Sequence, residues 1–228
     1  MPNWGEHLLI ANKLLKKVKV DENLFLFGNI LPDVQDGYLV KGISNIIPHK
    51  TSHYSLYDKY VSEKHKYGYE NFYEKYKDKL DNPMIMGYLS HLMADYYWNN
   101  MFYEHKCIKE NNIAVGYKNL KGEIIKKEKD ELRQDKQKEF ETFHYYIYSN
   151  YDLKLPHYNE NIVQNTNLID VININDDDVK KVINYIEETK LNSKNQNQET
   201  QIFTKEELEL HIDKTVEFII DFIDKNQN

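Results

Sequence analysis

The feature that most constrains this chain is a nearly continuous apolar run, PMIMGYLSHLMADYYWNNMFYEHKCI, over residues 83–108. Asn82 ahead of Pro83 marks a helix start, because the asparagine side chain can cap free amides and proline suits the first turn. A helix that is apolar nearly all round must be buried, so this run is expected to be the central helix of the protein. Within its apolar stretch LSHLMADYYW stand His91 and Asp95, four residues apart and therefore on one face. A carboxylate in such surroundings is costly unless it is paired or ligates a metal. Gly87 heads the same face. Its cost inside a helix implies either close approach of another segment or room for a ligand. Taken alone, the His–Asp pair reads as an ordinary hydrogen-bonded pair.

Other segments supply the same chemistry. Asn3 and Glu6 have the spacing of a capping box, and a helix over 4–15 carries His7 near Trp4. A short segment, ENLFLFGNILPD, ends at Gly28 and Pro32 and leaves Asp33 in a loop. Pro48 opens a helix with His49 and His53, again four apart. His65 lies in the charged stretch SEKHKYGYE, before a helix expected from Tyr67 to Lys79. Residues 109–125 read as a loop or small hairpin around Gly116 and Gly122, and a charged helix should follow from Lys126 to Tyr148. Pro156 breaks the chain, with His157 in a loop. A further helix starts at Asp177, LNSKNQNQET reads as a polar linker, and Thr204 with Glu207 forms a capping box for the last helix. His211 falls on that helix, at its surface or a packing edge. Strand signals are few. The expected fold is all-α, a multihelical bundle with a small hairpin near 112–125. One helical metal-binding domain is expected over 1–228, with 150–228 as a C-terminal helical extension.

Composition removes several functions. The 228 residues are 40% hydrophobic, enough for a sizeable core. No apolar run reaches the roughly 18 uncharged residues that would cross a bilayer. The N-terminal residues have no secretory pattern. Cys107 is the only cysteine, which excludes an intrachain disulfide or a Cys-rich zinc finger and agrees with a reducing, cytoplasmic location. Cys107 also has no identifiable partner as a nucleophile. A net charge of -7 disfavours duplex nucleic acid as a partner, because such binding needs many phosphate-neutralising cations. H-E-x-x-H and calcium-loop patterns are absent. Two histidines with two carboxylates suit zinc or another first-row ion.

The ordered set Trp4…His7, GNILPD, HKTSHY and GYLSHLMADYYWNNMF resembles the zinc-dependent phospholipase C family, which is related to the S1/P1-type nucleases. The resemblance is strongest over about residues 1–102, weak to about 150 and absent beyond. It implies an all-helical fold of the phospholipase C/P1 nuclease type. It also implies that Asp33, His53, His91 and Asp95 ligate one Zn2+, and that His7 binds a second ion with Asp95 bridging. His53 fits the motif better than His49. The chain departs from the family at Trp4, which is internal and cannot supply a terminal amine. It departs again after Asp95, where only Glu104 and His105 are near the next expected histidine. Glu141 and His144 stand in the reverse order of a family His–Glu pair. One ion, or two, is therefore expected rather than three.

The expected activity is metal-dependent hydrolysis of a phosphodiester or phosphomonoester, in a lipid headgroup or a small soluble substrate. Metal-activated water would attack phosphorus, with Asp33 as the catalytic candidate to orient it. The alternatives are a non-catalytic helical protein with a structural metal, or an HD-type phosphohydrolase. The HD type needs an adjacent His-Asp pair, and the sequence has none.

Overall fold

A long helix at the centre organises the protein, as the apolar run requires. The computed structural model describes residues 2–55, 68–111 and 113–226, so His65 lies outside the described residues. Among these the α-helices are α1 (Trp4–Leu14), α2 (Glu22–Ile30), α3 (His49–Ser52), α4 (Gly68–Tyr76), α5 (Pro83–His105), α6 (Lys129–Asn150), α7 (Asn161–Thr166), α8 (Asp176–Asn192) and α9 (Lys205–Asn226). Strands β1 (Cys107–Glu110), β2 (Ile113–Lys118) and β3 (Ile124–Lys126) form one open antiparallel sheet in sequence order. The architecture is the expected all-α bundle with a small sheet attached. Among the described residues, no helix is long and apolar enough to cross a membrane.

The α5 helix is the expected central one. The Asn82 side chain accepts from the amides of Met84 (2.9 Å) and Ile85 (3.3 Å). Tyr88, Leu89, Met93, Trp98 and Phe102 are buried along it. Its most extensive partner is α2, and glycine makes that contact possible. A Cβ on Gly87 would sit 2.2 Å from the Phe25 carbonyl oxygen, and one on Gly28 would sit 2.3 Å from that of Met84. Close helix approach therefore explains Gly87, not room for a ligand. Asn29 ties the same interface by donating to Ser90 Oγ at 2.7 Å. Helix α1 packs on α2, α5, α6 and α9, so the first and last helices meet across the core.

Several local expectations change. The Asn3–Glu6 capping box does not form: Asn3 Oδ1 accepts from Gln137 instead, at 3.1 Å. Glu6 turns inward, with neither carboxyl oxygen hydrogen-bonded, and burial raises its pKa well above the carboxylate range. The hairpin expected at 112–125 is a three-stranded sheet, because Cys107 pairs with Tyr117 and Tyr117 with Ile125. Since β3 takes residues 124–126, α6 starts at Lys129, behind a Glu128–Glu131 capping box. The stretch 191–200, read as a polar linker, is mostly exposed but anchored at Ser193 and Gln198. Ser193 is buried, Ser149 bonds its hydroxyl at 3.0 Å, and Gln198 donates to Ser149 at 2.9 Å. The Thr204–Glu207 box forms as expected. Just ahead of it, buried Glu139 accepts the amides of Gln201, Ile202 and Phe203, joining α6 to the start of α9.

Candidate metal centre

Five residues from four separate segments converge beside α5. His7 comes from the first turns of α1. Asp33 sits in a 3-10 turn, Leu31–Asp36, that Pro32 starts at the end of α2. His53 caps the C-terminus of α3. His91 and Asp95 lie one above the other on α5. All five are buried, with exposures of 0–6%.

The donor atoms are spaced like ligands. His53 Nε2 lies 3.3 Å from Asp33 Oδ1, 3.2 Å from Asp95 Oδ2 and 3.3 Å from His91 Nε2. His91 Nε2 lies 3.7 Å from Asp33 Oδ1 and 3.8 Å from Asp95 Oδ2. Ligands about 2.0–2.2 Å from a tetrahedral ion are themselves roughly 3.3–3.6 Å apart, so these four atoms could surround one ion with small adjustments. The other oxygen of Asp95 faces His7 Nε2 at 3.5 Å, and the His7 ring stacks on His91 at 3.8 Å. Two overlapping neighbourhoods result. His7, His91 and Asp95 form one, and Asp33, His49 and His53 the other, each with three donor atoms within 4.8 Å of one another.

Unused hydrogen-bonding capacity supports the fit. Both nitrogens of His7, Asp33 Oδ1 and Asp95 Oδ1 are buried without a hydrogen-bond partner. Such groups are rare in native interiors, and a cation among them would remove the cost. Groups behind the ligands are already satisfied. His91 Nδ1 is 2.7 Å from the Asn29 carbonyl oxygen, which accepts its proton and turns Nε2 to the centre. His53 Nδ1 is likewise 3.1 Å from the His49 carbonyl oxygen. The Trp4 indole donates to Asp33 Oδ2 at 3.2 Å, leaving Oδ1 for the centre. The Tyr88 hydroxyl donates to the Ser52 carbonyl. Gly68 lies against the next carbonyl, where a Cβ would come 2.0 Å from His53 O.

Electrostatics follow from this crowding. Burial opposes a charge on His53, yet Asp33 and Asp95 outweigh it and raise its pKa to about 10. Burial and the neighbouring His7 lower His91 to about 3. Burial also works against ionised Asp33, but the His91 and His53 charges hold it at about 2. Asp95 lies well below the carboxylate range for the same reason, with the His53 and His7 rings beside it. Without metal, His53 is thus a buried cation between two carboxylates. An ion held there would have to displace its proton.

The structure brings His7, Asp33, His53, His91 and Asp95 together, and it adds His49. That ring is half-buried and stacks on His53 at 3.6 Å. The remaining sequence candidates lie elsewhere. His144 is buried behind α1, where its Nδ1 accepts the Gly5 amide at 2.9 Å, and burial lowers its pKa to about 3. Glu141 is exposed on the same helix. Glu104 and His105 are exposed at the end of α5, where they border a cavity of about 330 Å³ with Tyr97, His211 and Lys214. His211 is buried against Tyr97 and Trp98 rather than at the surface. His157 is exposed and bonds Asn23 only through its backbone. The sequence reading missed the indole of Trp4 as a group that orients Asp33. The available signal was its place one turn before His7, on the same face of α1.

The zinc dependent phospholipase C family matches this chain over residues 5–212. No curated protein and no solved structure matches it. The match takes in every segment of the centre and continues well past residue 150, where the motif-level resemblance ends. The later helices contribute core positions, which follow a periodic pattern and carry no conspicuous motif. The chain therefore belongs to the zinc-dependent phospholipase C family and is a metal-binding hydrolase with candidate ligands for one or two divalent ions.

Proposed function

We propose that this protein hydrolyses a phosphoester at a centre in which Asp33, His53, His91 and Asp95 hold one zinc ion, while His7 and the free oxygen of Asp95 hold a second. The observation that carries the reading is the close spacing of the His53 and His91 Nε2 atoms with each other and with Asp33 Oδ1 and Asp95 Oδ2, 3.2–3.8 Å. A bound divalent ion supplies Lewis acidity, lowering the pKa of water and polarising a phosphoryl oxygen. The residues do the rest. His91 and His53 aim Nε2 inward because Nδ1 of each is engaged by a carbonyl oxygen. Asp95 spans both positions, with one oxygen toward His53 and the other toward His7. Asp33 would orient the attacking water where its Oδ1 is not committed to an ion. Its carboxylate stays ionised at neutral pH and is fixed by the Trp4 indole.

Four protein donors would fill a tetrahedral ion, as in structural sites. Water therefore needs a fifth position on that ion, or a place beside His7. His7 has no hydrogen bond on either ring nitrogen, which supports the latter. We take the substrate to be a lipid headgroup ester or a small soluble ester, since both present the same phosphoryl group. The net charge of -7 argues against duplex nucleic acid. The lone cysteine supports a cytoplasmic location. Packing of α9 on α1 and α5 supports one domain over the whole chain.

Elemental analysis of purified protein should find one or two zinc ions per chain. Protein that takes up no metal even after reconstitution would remove the basis of the proposal. Metal-loaded protein should then be tested on a chromogenic phosphodiester, a phosphomonoester and phospholipid vesicles. Turnover confined to vesicles identifies a lipid substrate, and turnover of the small esters identifies a soluble one. No turnover of any of them leaves the structural-metal alternative.

A further inference from the structure

Tyr54, next to His53, has a backbone conformation that its side chain does not favour. Its φ is 50°, in the left-handed region. Ser55 N donates to Lys50 O at 3.0 Å and Tyr54 N to Thr51 O at 3.2 Å. These paired bonds are the helix-ending arrangement whose left-handed residue is usually glycine. A tyrosine there is strained, and such strain persists only where surrounding contacts hold it.

The contacts converge on one distant carboxylate. Tyr54 donates its hydroxyl to Asp170 Oδ1 at 2.9 Å, and Tyr76 donates to the same oxygen at 2.6 Å. The Asp170 amide donates to the Tyr76 hydroxyl at 3.0 Å, and Lys75 pairs with Asp170 Oδ2. Asn71 donates to the Tyr54 carbonyl at 3.0 Å. Asp170 belongs to the loop between α7 and α8, outside every motif segment. The same loop reaches the Asp33 turn. Asn173 N donates to Gln35 Oε1 at 2.9 Å, while Gln35 Nε2 donates to Asn173 O at 2.9 Å and Asn45 O at 2.6 Å. Gln35 is fully buried two residues after Asp33. One loop thus grips both pieces of chain that carry Asp33, His49 and His53.

We propose that Asp170, acting through the hydroxyl of Tyr54, is a positioning residue of the metal centre: it holds the left-handed turn that presents His53 and His49 to Asp33. The proposal rests on the reading of His53 as a metal ligand. A plain folding staple would also join these segments. The distinction lies in exposure: the Asp170 side chain is 53% exposed and 46% of its partner Lys75 is exposed, so loss of this charge costs the fold little. The turn it holds is half-buried at Tyr54 and Ser55 and carries the buried His53.

The test uses the full chain, with Zn2+ affinity measured by chelator competition, the visible spectrum of the Co2+ form, and the thermal midpoint of the metal-free form. Asp170→Ala and Tyr54→Phe should each weaken zinc binding about tenfold, the low end for groups standing behind ligands. The double variant should be no weaker than either single, because both remove one interaction. The Co2+ bands should shift, while the metal-free midpoint stays within about 2 °C of the parent. Tyr54→Gly, which relieves the backbone but lacks the ring and its hydroxyl, should bind zinc as weakly as Asp170→Ala. Zinc binding within about twofold of the parent in both single variants, while His53→Ala loses the ion, would overturn the proposal. Affinity losses that track falling thermal midpoints would overturn it as well. If His53→Ala binds zinc like the parent, the ligand assignment itself is wrong and this inference falls with it.

Discussion

His7, His91 and Asp95 stand on α1 and α5, helices packed directly on each other and on α2. Their positions follow from backbone hydrogen bonds and apolar packing, with the Gly28–Gly87 contact setting the α2–α5 separation. Asp33, His49 and His53 stand instead on a 3-10 turn and a one-turn helix. So short a helix has no stability of its own, and polar side-chain bonds from Trp4, Tyr88 and Asp170 hold this half in place. The helix-borne half should therefore resist changes to outer groups, and the turn-borne half should respond to them.

The largest effect is expected from Asp95, which serves both halves. Asp95→Ala should abolish stoichiometric zinc at either position, as read by elemental analysis. Retention of one full ion would mean that the halves are independent. Two glycines separate the halves next. Gly87→Ala forces a Cβ against the α2 backbone and should cost stability by about 1–3 kcal/mol or more in urea unfolding. Gly68→Ala presses on the His53 carbonyl, so zinc affinity should fall further than metal-free stability does. If both variants lose stability and affinity in the same proportion, the contrast between the halves is wrong. Trp4→Phe keeps an aromatic ring but frees Asp33 Oδ2, and zinc binding should weaken about tenfold by calorimetry.

The smallest effect concerns pH and the metal-free protein. His53 has its pKa raised from 6.5 to about 10, so its stabilisation is complete below pH 6.5 and is lost as pH rises through 10. His91 is lowered to about 3, so its contribution is present above pH 6.5 and is lost as pH falls toward 3. Urea midpoints should therefore peak near neutrality, and zinc should flatten the alkaline decline by taking the place of the His53 proton. An alkaline limb that is flat without zinc would show that His53 is not held as a cation between Asp33 and Asp95.

Much of the helix-borne half was legible because its signals are periodic and local. Asn82 and Pro83 gave the start of α5, and the His91–Asp95 spacing gave its polar face. Asp33 and His53 were legible through the resemblance, not through local pattern. His49 ranked below His53 through the resemblance, and its place beside the centre stayed hidden, since whether a half-buried ring stacks on His53 depends on how a four-residue helix ends. Glu6 misled for a related reason. Its spacing from Asn3 suited a cap, but burial beneath the other helices turned the carboxyl inward. Glu141 and His144, which stand in the reverse of the family order, lie outside the centre, because the face of α6 that carries His144 is taken by Gly5 of α1.

By itself, the sequence determined the helical class and the central helix, because helical periodicity and the cost of buried charge act over a few residues, while the candidate ligands came through the family resemblance. Only the tertiary structure decided how these residues meet. The bridging orientation of Asp95, the indole bond to Asp33 and the grip of Asp170 on Tyr54 all join distant segments. Such distances are set by helix packing and loop closure, which spacing along the chain does not encode.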